Sequence, residues 1–255
     1  MKRFRTPRRA PGELLTQIRG IAARMQPDNP DAERVHRFGI TNPVADERRA
    51  IDLWLAKQLF AGKPLRIADV GCIPPVFLAA LRENGFNAEG VDLNPSRFSK
   101  AIETAGLTVH RCDIETEPLP YPDASLDVVM FFEVFEHLRV NLIFTMRELL
   151  RVLKPGGILL LSTPNGLALH GLGRIVWKRR IGPAIYRAYA QLETIGQPGH
   201  IREYSLQEVC AFLAEIGFVT ERVSYRGRYQ HPILDLPLRL LPGLRPVLCL
   251  VARKP

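Results

Sequence analysis

The stretch Ile67-Ala68-Asp69-Val70-Gly71-Cys72-Ile73-Pro74-Pro75 constrains this chain more than any other part of it. An apolar, strand-forming run reaches an acid and a glycine, and a helix-forming run, Val76 to Arg82, follows the turn. A second short apolar run closes on Val91-Asp92, which sets a carboxylate 21 residues beyond Gly71. Strand, tight turn, helix and an acid about 20 residues on make up the α/β unit whose backbone approaches a nucleoside and whose acid accepts from ribose hydroxyls.

The alternation continues along the chain. Residues 65–70, 88–91 and 107–112 are expected strands, and 75–84 and 95–104 are expected helices closed by Gly85 and Gly106. Leu126–Phe132 is apolar at nearly every position, as a central parallel strand buried on both faces must be. A helix over 141–153, a turn at Lys154-Pro155-Gly156-Gly157 and a buried strand over 158–162 come next. Residues 219–225 and 246–252 read as a closing antiparallel pair, separated by an apolar, Pro-rich loop over 231–244. The expected fold is α/β: a doubly wound, mostly parallel, seven-stranded Rossmann-like sheet with right-handed crossovers.

Two regions stand outside that rhythm. Residues 1–11 are basic and punctuated by proline, and are expected to be disordered. Leu14, Leu15, Ile18, Ile21, Ala22 and Met25 then fall at helical spacing, and a Pro- and Asp-containing link runs from Pro27 to Pro30. Asn42-Pro43 starts the next helix, with Asn as cap and Pro at the first helical position, and Trp54, Leu55, Leu59 and Phe60 give it an apolar face. Residues 164–199 read as a basic helical insertion with helices over 167–180 and 183–192, and Ser205 with Glu208 forms a capping box for a helix over 205–216. The expected division is a basic tail and N-terminal helix over 1–41 and one α/β domain over 42–255, with 164–199 as a lid-like insertion.

Length and composition agree with one large domain: 255 residues, 46% hydrophobic, suffice for an ample core. No apolar run approaches the about 18 residues of a membrane span, and no apolar h-region follows the basic start, so neither a span nor a secretory signal is expected. Cys72, Cys112, Cys210 and Cys249 lack a C-x-x-C spacing and read as buried thiols in a reducing compartment. The location expected is cytoplasmic, peripheral at a membrane if the basic segments bind one. The net charge of +9 is clustered in Lys2, Arg3, Arg5, Arg8 and Arg9 and again in Lys178, Arg179 and Arg180. Such runs are more often only a solvated tail and helix face, and they also fit an anionic surface or membrane-surface contact; nucleic acid is a less favoured partner.

Residues 65–225 resemble the class I S-adenosylmethionine-dependent methyltransferases, in the branch that methylates small molecules and oxygen acceptors. The resemblance is carried by Asp69 to Pro75 with Asp92, by CDIETEPLPYPDASLDVVMFFEVFEHL, by LLRVLKPGGILLLSTPN and by GHIREYSLQEVCAFLAEIGF, in the family's order. It implies S-adenosylmethionine as cofactor and S-adenosylhomocysteine as product. It further implies that Asp69 and Gly71 lie near the cofactor's amino acid part, that Asp92 with Leu93 holds the ribose, that Asp113 and the Ile114 backbone meet the adenine, and that Phe132 and Glu133 lie beneath the methionine portion. The family's first motif usually reads D-x-G-x-G-x-G, and here Ile73 and Pro75 replace later glycines. A proline has no N–H and a fixed φ, so this turn is stiff and poor in donors.

Glu133, Glu136 and His137 fall at i, i+3 and i+4, which would place them on one face of a helix starting there. The E-x-x-E-H pattern is similar to that of the small-RNA 3′-terminal 2′-O-methyltransferases and the ubiquinone-pathway O-methyltransferases. In the RNA enzymes a later histidine completes a metal site, and here His200 lies 63 residues after His137. Glu133, Glu136, His137 and His200 are thus a possible divalent-metal set, though metal is not the favoured reading; without it His137 and His200 are the candidate general bases, with Arg202 and Tyr204 beside them. Trp177, Ile175, Val176 and Ile181 beside the basic run suit a membrane surface or a lid packed on the protein. The leading functional reading is methyl transfer to a hydroxyl of a small molecule, glycan or lipid-linked intermediate. The alternatives are metal-dependent methylation of an RNA terminal ribose, and a catalytically degenerate fold that only binds. The sequence assigns neither an acceptor nor an oligomeric state.

Overall fold

The computed structural model describes residues 2–28, 42–180, 184–195, 199–227, 229, 238 and 240–255. Its sheet has eight strands: β1 (Lys2–Arg3), β2 (Arg66–Val70), β3 (Asn87–Asp92), β4 (Val109–Arg111), β5 (Leu126–Phe132), β6 (Leu153–Pro164), β7 (Val219–Arg226) and β8 (Val247–Arg253). They lie in the order β1-β7-β8-β6-β5-β2-β3-β4. β8 is antiparallel to both β6 and β7, and every other pair is parallel. The order reverses direction between β2 and β5, and a crevice opens there at the carboxyl ends of the strands, where α/β sheets bind ligands.

The helices cover both faces. α1 (Gly12–Arg24), α2 (Pro43–Phe60), α3 (Val76–Glu83) and α4 (Ser99–Thr104) come before β5 in the chain; α5 (Leu142–Val152), α6 (Leu169–Lys178), α7 (Ile185–Ile195) and α8 (Leu206–Ile216) come after it. The period of two along each strand divides the core. Ile67, Val128, Met130, Leu160 and Val251 join Ile18, Leu53 and Leu78 of α1 to α3 on one face. Ala68, Val129, Phe131, Leu161 and Leu250 join Met146 and Leu149 of α5 and Val209 and Leu213 of α8 on the other. Burying one such Leu or Ile stabilises the fold by about 1.5–3 kcal/mol, so β5, apolar on both faces, ties the two halves of the core together.

Local signals read from the sequence hold here. The Asn42 side chain accepts from Val44 N, with Pro43 in the first turn. Ser205 and Glu208 form the reciprocal capping box of α8. β7 and β8 are the closing antiparallel pair.

Three expectations are corrected. The strand count is eight, because residues expected to be disordered supply β1. Lys2 and Arg3 pair in parallel with Arg222 and Val223, and Phe4 N donates to Val223 O at 3.0 Å. The open edge of β7 offers unpaired backbone groups, and a basic segment with no apolar pattern satisfies them. Lys154 to Gly157 do not form a separate turn but lie within β6, where the register against β5 slips between Leu126↔Leu153 and Val128↔Ile158. Gly156, at φ +77°, absorbs that irregularity. The insertion contains the two expected helices, α6 and α7, whereas Ile181, the link beyond Asp28 and most of the 231–244 loop lie outside the described residues.

Candidate active site

A cleft of about 250 Å³ opens at the carboxyl ends of β2, β3 and β5. Gly71, Asp92, Leu93, Asp113, Ile114 and Glu133, six residues expected around a cofactor, line it together with Ile73, Val134 and His137. Asp69 and Phe132 do not. Asp69 is buried beneath the cleft, and Phe132 turns its ring onto Phe77 at 5.5 Å between centroids, under the Arg226 guanidinium. Burial first, and then the Asp92 charge, push the Asp69 carboxyl up to about 7 against the pull of Arg49.

The turn from Gly71 to Pro75 explains how Ile73 and Pro75 are accommodated. Gly71 has φ +81°, and a Cβ there would lie 2.3 Å from Val134 Cγ2, so no side chain fits. Gly71 N and Cys72 N both donate to Val91 O, and Ile73 N donates to Asp92 Oδ2 at 3.1 Å. Pro74 and Pro75 have no N–H. The backbone donors of the turn are therefore committed within the protein, and the cleft's acceptors dominate. Asp92 also accepts from Asn94 N, through Oδ1 at 2.9 Å. A carboxylate has about four lone-pair sites, so both oxygens keep capacity to accept from hydroxyls such as those of a ribose. Asp113 accepts from Glu115 N at 3.1 Å and still lines the cleft, so it serves as a turn residue and as a wall at once. The acceptor set thus fits a nucleoside, which brings hydroxyl and amino donors to these carboxylates.

Glu133 joins this cleft to a second one of about 400 Å³, since it lines both. It stands at φ +57°, a left-handed conformation uncommon for a residue with a side chain, just after β5. Ser162 Oγ donates to its Oε1 at 2.8 Å, and Arg48 of α2 donates to Oε2. The expectation that Glu133, Glu136 and His137 share a helical face is corrected, because only a short 3-10 turn forms at Phe135–His137 and Glu133 faces Arg48. Arg48, His170, His200, Glu203 and Arg226 line the second cavity. Arg226 is 1% exposed and is paired with Asp52.

His137 and His200, far apart in the chain, come together. Ile201 N donates to Glu136 O at 2.8 Å, which draws the segment after the insertion back onto the 3-10 turn. The two imidazole rings lie edge to face, 5.0 Å apart at their centroids. Glu136 lies beneath both, its Oε1 3.8 Å from His137 Nε2 and 3.8 Å from His200 Nε2. Its Oε2 accepts from Thr163 Oγ1 at 3.0 Å, while the buried Oε1 accepts no hydrogen bond among the described residues. Burial and the Glu133 charge push the Glu136 carboxyl up to about 8, against the pull of His200. Burial lowers His200, but its contact with Glu203 and the nearby Glu136 charge outweigh that and leave it above the ordinary histidine range. Potential ligand atoms of Glu136, His137 and His200 lie within 4.8 Å of one another. One oxygen and two imidazole nitrogens suit a divalent transition ion, and the unpartnered Oε1 is the acceptor such an ion would satisfy.

Sequence reasoning passed over Glu203, set between the two residues it favoured. Arg202 turns to Glu208 and lies over the Tyr204 ring, and Tyr204 packs on Phe135. Glu203 faces inward, bonded to Arg174 and 3.6 Å from His200 Nδ1. Although burial alone would raise it, these cations hold the Glu203 carboxyl down at about 2. Arg48, His170 and Arg226 were also missed, since the apolar periodicity around them marks core and not cavity.

Comparison with known proteins bears on this site. Residues 44–223 match a family model described as a methyltransferase domain. A probable S-adenosylmethionine-dependent methyltransferase of Mycobacterium tuberculosis is 38% identical over 116 residues, 46% of this chain and 34% of that protein. The 27-O-demethylrifamycin SV methyltransferase of Amycolatopsis mediterranei is 26% identical over 198 residues, 71% of this chain and 63% of that one. Matches to the first curated relatives span about a third of those proteins' length. A methyltransferase structure from Mesorhizobium loti superposes with a TM-score of 0.56 at 20% identity, over 79% of this chain and 97% of that chain, a likeness of fold.

Proposed function

The chain belongs to the S-adenosylmethionine-dependent methyltransferase domain family, and from that premise we propose that it methylates a hydroxyl oxygen of a small molecule, glycan or lipid-linked acceptor held in the second cavity. The observation that carries this reading is the position of Glu133, which lines both clefts and so marks where a cofactor and an acceptor would meet. When bound, S-adenosylmethionine supplies a methyl group activated on a sulfonium and leaves as the thioether S-adenosylhomocysteine. The protein's own tasks are then to bind, to orient and to receive a proton.

Asp92 and Asp113 accept from the nucleoside, with Leu93 and Ile114 as apolar walls. Gly71 gives the close approach, and Asp69 and Phe132 support the floor from beneath. His200, at the second cavity, would take the acceptor hydroxyl's proton on an imidazole nitrogen, and His137 adjoins it from the first cleft. Glu203, held ionised, positions His200 and stabilises its imidazolium, and Glu136 lies beneath the ring. Oxygen acceptors are favoured by this histidine–carboxylate cluster, and the rifamycin relative is named for an O-demethyl substrate.

A second reading, terminal ribose methylation of RNA with a divalent ion on Glu136, His137 and His200, is favoured by the unpartnered Glu136 Oε1. Calorimetric titration with S-adenosylmethionine and S-adenosylhomocysteine, with and without magnesium or manganese, tests both. The expected result is micromolar binding independent of metal, lowered about ten- to a hundredfold by Asp92→Asn. Metal-dependent binding would favour the RNA reading. No binding by a folded sample would leave a degenerate fold, and an unchanged Asp92→Asn affinity would remove Asp92 from the site.

A further inference from the structure

The insertion carries a surface that the proposed chemistry does not use. Trp177 is 84% exposed and Val176 69% on α6, and Tyr186 is 83% exposed and Ile185 78% on α7; Ile175 and Tyr189 are exposed as well. Neither helix contributes a residue to the two core clusters among the described residues. Helices of 10 and 11 residues are marginal in water without a packed face, so covering these exposed side chains would stabilise both. Large apolar side chains grouped in this way mark an interaction surface.

Charge identifies the partner. Residues 166–192 contain five Lys and Arg and no Asp or Glu. Arg174 is committed to Glu203, whereas Arg179, two residues beyond Trp177, is exposed. Protein interfaces take up Arg but usually balance it with acids across or beside the patch, whereas helices lying in a bilayer interface combine Trp, Tyr and aliphatic residues with Lys and Arg alone. The chain's net charge of +9 has the sign that anionic lipid attracts. α6 also begins at the second cavity, which His170 lines together with Arg8 of the basic N-terminal segment. No helix among the described residues is long and apolar enough to cross a membrane, so contact here means lying on the surface.

We propose that α6 and α7 dock the protein on an anionic phospholipid bilayer, with Trp177, Val176, Ile185 and Tyr186 entering the interface beside the acceptor cavity. Docking itself stands apart from the methyl-transfer reading; only the delivery of a lipid-linked acceptor to the cavity rests on it.

Flotation of the full chain with phosphatidylcholine vesicles, with and without phosphatidylglycerol, tests the proposal. Expected is partition onto the mixed vesicles, weakened by salt and scarce on phosphatidylcholine alone. The double variant Trp177→Ala/Tyr186→Ala lowers partition at least about tenfold. Trp54 and Trp177 are the two tryptophans, so in a Trp54→Phe background fluorescence shifts to the blue as Trp177 enters the interface. Equal partition by the double variant overturns the proposal, and so does absence of binding to the mixed vesicles. A dimer in sedimentation velocity that the same substitutions dissolve, without vesicle binding, overturns it in favour of a second copy. S-adenosylhomocysteine titration of the same samples separates the two ideas: cofactor binding without vesicle binding defeats docking alone, and vesicle binding without cofactor binding defeats the enzyme reading alone.

Discussion

Glu203 and His200 show how much one contact decides. The place of Asp92 at the cleft was readable because an acid at a strand end, a set distance past a glycine turn, falls at the crevice of an α/β sheet. Glu203 was not readable: nothing local distinguishes Arg202-Glu203-Tyr204 from an exposed charged turn. The inward direction of Glu203 comes from Arg174 on α6 and from the backbone bond between Ile201 and Glu136. Its proximity to His200 helps hold the imidazole above the ordinary range. A raised pKa keeps the imidazole protonated to higher pH, so its service as a base begins on the alkaline side of that value. Replacing Glu203 with Gln removes a charge that favours the imidazolium, and the His200 titration is expected to move to lower pH. An imidazole NMR titration of both proteins checks this; a midpoint that stays in place or rises would refute the positioning role.

At the scale of elements, signals contained within a few residues were legible and pairings between distant residues were not. The Asn42 cap, the capping box of α8 and the apolar run of β5 are each local. β1 exists because the β7 edge accepts it, and the β6 irregularity because β5 must pair with both Leu153 and Ile158. The insertion is anchored in a similarly remote way. Asn165, 1% exposed, donates through Nδ2 to Gly243 O and Arg245 O at 2.7 and 2.8 Å, and its Oδ1 accepts from Leu167 N. It fastens the end of β6, the start of the insertion and the approach to β8 at one point. Asn165→Leu keeps the branched side-chain skeleton but leaves these buried carbonyls without their donor. A loss of about 1–3 kcal/mol is expected in urea unfolding. A loss below about 0.5 kcal/mol would show that the anchor is dispensable.

Over the whole molecule, the buried acids at the strand ends set a pH dependence of stability. Asp69 titrates at an ordinary 3.8 when unfolded and at about 7 when folded. Between those values the folded state holds a proton that the unfolded state has released, so this group makes stability fall as pH rises through the window. Asp69→Asn removes the titration and keeps the shape. Its melting temperature is expected to match the natural protein near pH 4 and to exceed it near pH 8, by an advantage on the order of 2 kcal/mol, or about 2–4 °C for each kcal/mol in a chain of this size. A difference equal at both pH values would show that Asp69 is not held protonated by its burial.

The sequence by itself determined the α/β class, the doubly wound order of the sheet and the crevice at β2, β3 and β5, because periodicity, glycine turns and strand-end acids act over short stretches of chain. Tertiary structure alone decided that Glu133 lies between two cavities, that Glu136 is buried under a pair of histidines 63 residues apart, that Glu203 turns inward, and that the basic tail becomes a strand. Each of these depends on which distant groups share a desolvated space, and no pattern along a single stretch of chain encodes that.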